Sequence, residues 1–226
     1  MDSFFIKQGW KYVAVALVLY TVIYGFYVPL SEEAQNSVLD ETMRNLFFHV
    51  PMWFAMMFLQ AISVWHSIKY LRNEDMENDR MAFEAINVAL LLGVLGMFTG
   101  MLWAQYTWGD FWPEQDSKLK GVAVGMLLYA AYIILRNGIE DPMKKARVSA
   151  VYNIFAFPLF LVLIKLIPDQ IDSLHPGNKG NPAFSQYGQT NTMRLVFYPA
   201  VIGWMGIALW MTQMKYRISK IKSQLK

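Results

Sequence analysis

Two histidines in this sequence have the chemistry of a metal-binding site. His49 lies in the segment HVPMW and His175 in the segment DSLHPGN, and proline follows them at Pro51 and Pro176. Because proline restricts the backbone before it, an irregular backbone is expected at both histidines. A neutral imidazole is a common metal ligand. Zinc is disfavoured here, since it normally takes three or four protein ligands and this pair supplies only two.

A cluster of aromatic residues occupies the connection between two apolar runs, in the segment WAQYTWGDFW that begins at Trp103. Aromatic rings offer wide apolar faces, and tyrosine and tryptophan add one polar edge. Such faces suit a porphyrin, and two imidazoles on its opposite sides would make a bis-histidine haem site. Its propionates could pair with Arg44, Lys118 or Lys120. An interfacial aromatic belt, common in membrane proteins, remains the alternative interpretation of the cluster.

The third histidine, His66, lies in a different environment. It follows His49 by seventeen residues in one apolar run. At about 1.5 Å per helical residue, the two side chains would lie roughly 25 Å apart. His66 therefore cannot share a small site with His49, and an interfacial histidine beside Lys69 is its expected role.

Composition indicates that membrane-spanning helices position these residues. Of the 226 residues, 55% are hydrophobic and only 16% are charged, whereas soluble domains contain about 25% charged residues. A helix crosses a bilayer with roughly 20 apolar residues. Six runs of about that length lie at residues 12–30, 46–68, 83–104, 119–135, 148–167 and 195–213. The sequence therefore predicts an all-α integral membrane protein, a single membrane domain of six transmembrane helices over residues 1–226.

The distribution of basic residues predicts the orientation of the spans. With six spans both termini share one side, and that side holds fourteen of the 20 Lys and Arg residues. Because cytoplasmic loops carry an excess of Lys and Arg, the termini are expected in the cytoplasm. The connections 31–44, 105–118 and 168–194 then face outward. The basic tail KYRISKIKSQLK is expected to lie against lipid headgroups, and the net charge of +3 indicates topology rather than nucleic-acid binding.

Two further features constrain the chemistry and the packing. The sequence contains no cysteine, which excludes disulfides, thiolate metal ligands and covalent thioether attachment of a cofactor. Gly93, Gly96 and Gly100 lie three and four residues apart in the third span. Small residues on one helix face allow close contact between membrane helices, so tight packing of the third span is expected.

Several segments together resemble the haem exporter protein C (CcmC) family of cytochrome c maturation. WAQYTWGDFW resembles the tryptophan-rich motif of that family, HVPMW its first histidine motif, and DSLHPGNKGNPAF the segment with its second histidine. The inner loop LRNGIEDPMKKARVSAV and the six-span layout also agree, so the resemblance covers essentially the whole chain. One departure follows the aromatic cluster, where Pro113 and Glu114 replace a further tryptophan and Asp116 aligns only with one inserted residue.

The resemblance implies a transient, non-covalent haem b site on the periplasmic side of the cell inner membrane. The implied axial ligands of the iron are His49 and His175. The residues implied to hold the porphyrin are those of the tryptophan-rich loop, namely Trp103, Trp108, Gly109, Phe111, Trp112 and Asp116. The implied partners are the haem chaperone CcmE, the ABC transporter proteins CcmA and CcmB, and the small protein CcmD. The family presents haem to CcmE without a reaction of its own, so an enzyme is not expected.

Three other functions remain open from the residues. A bis-histidine haem could transfer electrons, but a transmembrane path normally needs a second haem, for which the other side offers only His66. A transporter for haem or another small solute would need polar or charged residues at mid-depth in the spans, where they are sparse. A purely structural subunit would make the histidines and tryptophans incidental.

Overall fold

In the computed structural model, which describes residues 2–30, 41–171, 175 and 190–225, the chain is a bundle of long helices. These helices are α1 (Asp2–Tyr27), α2 (His49–Asn73), α3 (Met76–Trp108), α4 (Ser117–Asn137), α5 (Pro142–Leu161) and α6 (Asn191–Gln224). Short 3-10 helices cover Met43–Phe47 and Pro168–Gln170, and a π-helical segment, Val162–Leu166, continues α5. The described residues contain no strand.

Six helical segments of the described chain are long and apolar enough to cross a membrane, which confirms the predicted all-α membrane fold. Each overlaps one of the six predicted apolar runs. The helices extend beyond those runs, and α6 is 34 residues long. At about 1.5 Å per residue it measures roughly 50 Å, more than the roughly 30 Å hydrocarbon core of a bilayer. Its polar end therefore continues past the membrane.

The centre of the bundle is α2, which packs against α3, α5 and α6. On one side α1 packs against α6, and on the other side α4 packs mainly against α5. Small residues in the core let these helices approach closely. Those that are fully or almost fully buried in the main core are Ala55, Ala85, Ala89, Ala156 and Ala208.

Glycines of α3 provide the space into which side chains of α2 fit. A Cβ atom on Gly96 would come within 2.9 Å of the Trp53 ring, and one on Gly100 within 2.7 Å of Cε1 of His49. Real Cβ atoms essentially never make contacts that short. The expected tight packing of the third span is therefore confirmed. We call the end of the bundle where α2 begins and α3 ends the site end.

The backbone at His49 differs from the sequence expectation. His49 is the first residue of α2, and Pro51 lies in the first turn. The first N–H groups of a helix have no partner within it, so a proline there removes no hydrogen bond. The irregular backbone predicted at His49 is wrong, and the break lies at Phe48, between the 3-10 helix and α2. The neighbours of His175 lie outside the described residues.

A buried ion pair joins α4 to α3 at the end opposite the site end. Arg136 Nη1 donates to Asp79 Oδ1 over 2.7 Å, and Nη2 donates to Oδ2 over 2.6 Å. Both side chains are less than 10% exposed. The guanidinium also lies 4.4 Å from the centre of the Phe83 ring. This two-fold hydrogen bond is the stronger geometry for an arginine–carboxylate pair.

The basic tail continues α6 as a helix and contacts the start of α3. The hydroxyl of Tyr216 donates to a carboxylate oxygen of Glu77, and Lys220 Nζ lies 3.4 Å from the other oxygen. Arg80 Nη2 donates to Ser223 Oγ over 2.9 Å. These side chains of the tail, which was expected against lipid headgroups, therefore bind protein.

Candidate functional site

His49 is held at the site end between α2 and α3. Its ring occupies the space that Gly100 leaves open, and its Nδ1 lies 3.1 Å from the hydroxyl oxygen of Thr99. The edge of the ring meets Trp53 one turn further along α2, with 6.2 Å between ring centres. Two regular helices therefore fix the position of His49.

His175 lies against the tryptophans at the end of α3. Its ring centre is 6.3 Å from that of Trp103 and 5.9 Å from that of Trp108. The side chain is only 15% exposed. Burial lowers the pKa of His175, and the opposing effect of the Asp116 carboxylate, which accepts from the ring, does not offset burial and the charge of Lys118. His175 is therefore neutral near pH 7, and the neutral imidazole is the form that binds a metal.

The tryptophan-rich loop starts with a sharp end to α3. Trp103 and Trp108 meet edge to face, with ring centres 5.0 Å apart. Gly109 follows in the left-handed conformation (φ 80°), and its N–H donates to the carbonyl of Gln105. Glycine reaches this conformation without the steric cost that a side chain would bring. The chain thus turns away directly after Trp108 and leaves this ring at the end of the helix.

Asp116 links the loop, α4 and His175. Its Oδ1 accepts a hydrogen bond of 2.7 Å from the N–H of Leu119, so it caps the start of α4. Its Oδ2 lies 3.5 Å from Nδ1 of His175. The carboxylate is almost fully buried. A carboxylate on the second nitrogen of a metal-binding histidine orients the ring and makes it a stronger ligand.

The predicted site residues divide into two groups. His49 and His175 lie against α3 at Gly100 and at the tryptophans that follow, within about 12 Å along its axis. Phe111 is 48% exposed. In the described part of the chain neither Phe111 nor Trp112 makes a ring contact with a histidine. The residues that the structure brings together are His49, His175, Trp103, Trp108 and Asp116, with Gly109 ending the helix between them.

A cavity of about 300 Å³ lies beside the histidines, between the end of α1 and the last turns of α3. Its wall includes Thr99, the partner of His49, and Trp103, a partner of His175. Aromatic and apolar side chains line one part of it, and polar or charged side chains the other, namely Glu41, Thr42, Arg44, Asn45 and Thr99. The cavity therefore has an apolar part and a polar part.

Two of the basic residues proposed for the haem propionates, Arg44 and Lys118, lie in different surroundings. Arg44 donates from Nη1 to the carbonyls of Gly25 and Val28, over 2.9 Å each, and from Nε and Nη2 to Glu41. It therefore fastens the end of α1. Lys118 lies in the first turn of α4, where its charge acts on His175. Lys118 therefore lies near the histidine site, whereas Arg44 is bound to the end of α1 and to Glu41.

His66 lies in the same helix as His49 but near the opposite end. Its Nδ1 is 2.8 Å from Oδ1 of Asn78, in the first turn of α3. This contact joins the two helices close to their connection. Among the described residues no group of three or more His, Cys, Asp or Glu side chains could hold a metal ion.

Sequence reasoning missed Thr99 as part of the site. Threonine within an apolar helix is ordinary, and His49 is fifty positions away in the chain. The one available signal was its position beside Gly100, on the face of the third span that was expected to pack closely.

A family model described as heme exporter protein C (CcmC) matches residues 4–225. Heme exporter protein C of Bradyrhizobium diazoefficiens is 26% identical over 166 residues, which are 74% of this chain and 61% of that relative. The protein of the same name from Paracoccus denitrificans is 27% identical over 143 residues, 61% of this chain and 55% of that relative. The aligned part thus spans roughly half to three-fifths of the length of these relatives.

A shorter similarity links the chain to a second group of proteins. Cytochrome c biogenesis protein CcsA of Synechococcus sp. is 36% identical over 70 residues, which are 31% of this chain and 22% of that protein.

Proposed function

Because the chain belongs to the heme exporter protein C family, we propose that it handles haem during cytochrome c biogenesis. In the finer form of the proposal, it binds haem b without a covalent bond at the periplasmic face of the cell inner membrane. It then presents this haem to the chaperone CcmE. The observation that carries the proposal is the position of His49 and His175 against neighbouring turns at the end of α3.

The residues at the site end fit the chemistry of a haem. A bis-histidine site needs two neutral imidazoles, each with one nitrogen free for the iron. Nδ1 of His49 faces Thr99, and Nδ1 of His175 faces Asp116. This arrangement favours Nε2 of each ring as the iron ligand. The space at Gly100 supports the proposal, because a side chain there would displace the ring of His49.

The surroundings of the histidines suit both the apolar edge and the propionate edge of a porphyrin. The indole rings of Trp103 and Trp108 supply flat apolar faces, and the loop that continues through Gly109, Phe111 and Trp112 would cover the plate. The cavity beside α1 can take an apolar edge. Lys118, on the side of Asp116, can pair with a propionate.

A handover follows from the same features. With no cysteine in the chain, the haem is held without a thioether bond and can leave. The site lies at the ends of helices and in connecting loops, where a soluble partner can reach it. We propose CcmA, CcmB and CcmD as further partners and assign no chemical reaction to this chain. The excess of basic residues on the other side of the spans supports cytoplasmic termini.

The proposal is tested by the absorption spectrum of the purified full chain. We expect the low-spin spectrum of a bis-histidine b-type haem. Replacing either His49 or His175 with Gln should abolish the low-spin bands, because one axial ligand is lost. The matched control is His66→Gln, which should keep the spectrum since His66 contacts Asn78.

Two results would contradict the assignment. A low-spin spectrum that survives both outer replacements would show that other residues bind the iron. Absence of haem from the parent chain, with and without a CcmE-type chaperone, would favour a structural subunit.

The handover itself is measured by mixing the haem-loaded chain with haem-free chaperone and following loss of the low-spin bands, and no loss would contradict it.

A further inference from the structure

The contact between His49 and Thr99 restricts where the proton of the imidazole can be. Nδ1 of His49 lies 3.1 Å from Oγ1 of Thr99. That hydroxyl is also 3.0 Å from the carbonyl oxygens of Leu95 and Gly96. A hydroxyl has one proton to donate, and carbonyl oxygens only accept. The two carbonyls can take the proton of Thr99, so that its oxygen can act as an acceptor facing the histidine.

An acceptor at this position requires a donor on the ring. We infer that Thr99 is a positioning residue, which fixes His49 with its proton on Nδ1 and leaves Nε2 free as the iron ligand. The role toward iron rests on the proposed haem site, whereas the tautomer is a property of the haem-free protein.

Packing around His49 keeps the ring in the orientation that this contact requires. Cε1 fills the space at Gly100, where an added Cβ atom would lie only 2.7 Å away. Trp53 meets the ring edge to face. A rotation that turned Nδ1 away from Thr99 would also have to change these two contacts. The orientation and the tautomer of the ring are therefore fixed together. In metal-binding histidines, a hydrogen bond to the second nitrogen commonly fixes both.

The ordinary role of a helical threonine does not explain this arrangement. Thr107 and Thr212 bond their own helix in the same way, over 2.7 Å to Trp103 and 2.9 Å to Ala208. Thr99 differs because the oxygen that bonds the helix is also the partner of His49. Thr212 is therefore a matched control for the loss of a threonine hydroxyl.

The tautomer is measured by ¹⁵N NMR of the haem-free full chain in micelles. Labelling only histidine gives three rings, and His49→Gln identifies the signals of His49. We expect an Nδ1–H tautomer in the parent and in Thr99→Ser, which retains the hydroxyl. Thr99→Val should give a measurable Nε2–H fraction, because the hydroxyl acceptor is gone. Thr212→Val should leave the signals of His49 unchanged.

Haem binding by the same variants tests the consequence for iron. Loss of such a partner typically costs 10–100-fold in metal affinity, so we expect Thr99→Val to bind haem at least tenfold more weakly, with part of the low-spin spectrum lost. Thr99→Ser and Thr212→Val should match the parent. An unchanged tautomer in Thr99→Val, or a changed tautomer with unchanged haem binding, would overturn the role of Thr99. If the parent binds no haem, the proposed function fails while the NMR result still decides the tautomer.

Discussion

The two histidines of the site differ in the group that faces their second nitrogen. His49 begins a helix and faces the neutral hydroxyl of Thr99. His175 faces the carboxylate of Asp116, which also caps α4. A carboxylate partner makes an imidazole a stronger ligand than a neutral partner does. The two axial ligands of a bound haem would therefore be unequal, with the greater donor strength at His175.

This inequality predicts an effect of Asp116→Asn on the reduction potential of bound haem. Asparagine keeps the size of the side chain and is an equally good helix cap, so folding should be unaffected. The negative charge of Asp116 stabilises ferric iron more than ferrous iron. Its loss should therefore make the reduction potential more positive, by an amount equivalent to about 1 kcal/mol of lost ferric stabilisation. A redox titration of the low-spin bands measures the shift.

The matched control for this change lies in the same loop. Asp110 accepts a hydrogen bond of 2.9 Å from the N–H of Trp112 and is exposed. Asp110→Asn should leave the potential within error of the parent. Equal shifts in the two variants would mean that the charge acts at a distance, and the assigned contact between Asp116 and His175 would then be wrong.

At the residue scale, the sequence predicts those site members whose residue type is distinctive. His49, His175 and the tryptophans stand out by chemistry and by motif. Asp116 aligned poorly with the motif, but the structure shows that it caps α4 and lies next to His175. Thr99 could not be predicted, because its role depends on a contact across fifty positions of the chain.

At the scale of elements, the pairing of α2 with α3 builds half of the site. The glycines of α3 that let α2 and α3 approach each other also leave the space that His49 fills. Hydropathy predicts that six helices exist, because apolar runs mark the membrane. It does not predict where they end, since the ends are polar. The tail of α6 stays helical because Tyr216 and Lys220 meet Glu77 on another helix.

From the close contact between Gly100 and His49, we predict that Gly100→Ala damages haem binding more than folding. The added methyl group would lie 2.7 Å from Cε1 of His49, so the ring must move. Overpacking of this kind typically costs 1–3 kcal/mol, and the better helix propensity of alanine returns up to about 1 kcal/mol. We expect haem affinity to fall at least tenfold while the protein remains folded. Titration of haem into the purified chain measures the affinity.

Gly9 in α1 serves as the control for this substitution. A Cβ atom there meets nothing within 4 Å, so Gly9→Ala should bind haem as the parent does. Parent-like affinity in Gly100→Ala would show that His49 does not need this space and would argue against its role as a ligand.

At the scale of the whole molecule, the two ends of the bundle are held in different ways. Opposite the site end, ion pairs join separate parts of the bundle: Asp79 of α3 pairs with Arg136 of α4, and Glu74, in the connection between α2 and α3, pairs with Arg147 of α5. At the site end, the described contacts are mainly aromatic, and the Asp116 carboxylate lies 3.5 Å from Nδ1 of the neutral His175. The proposed haem site therefore lies at the end opposite these ion pairs, and changes at one end should leave the other intact.

This division predicts that Asp79→Asn destabilises the bundle without changing the haem site. The substitution leaves the guanidinium of Arg136 buried without its carboxylate, and breaking a buried pair typically costs about 3–5 kcal/mol. Glu74→Gln breaks an exposed pair with Arg147, for which about 0–1 kcal/mol is expected. Denaturant unfolding in micelles measures both, and the low-spin spectrum of the folded fraction should be that of the parent. Equal costs for the two variants would refute the buried pair as a main support, and a changed spectrum would refute the independence of the two ends.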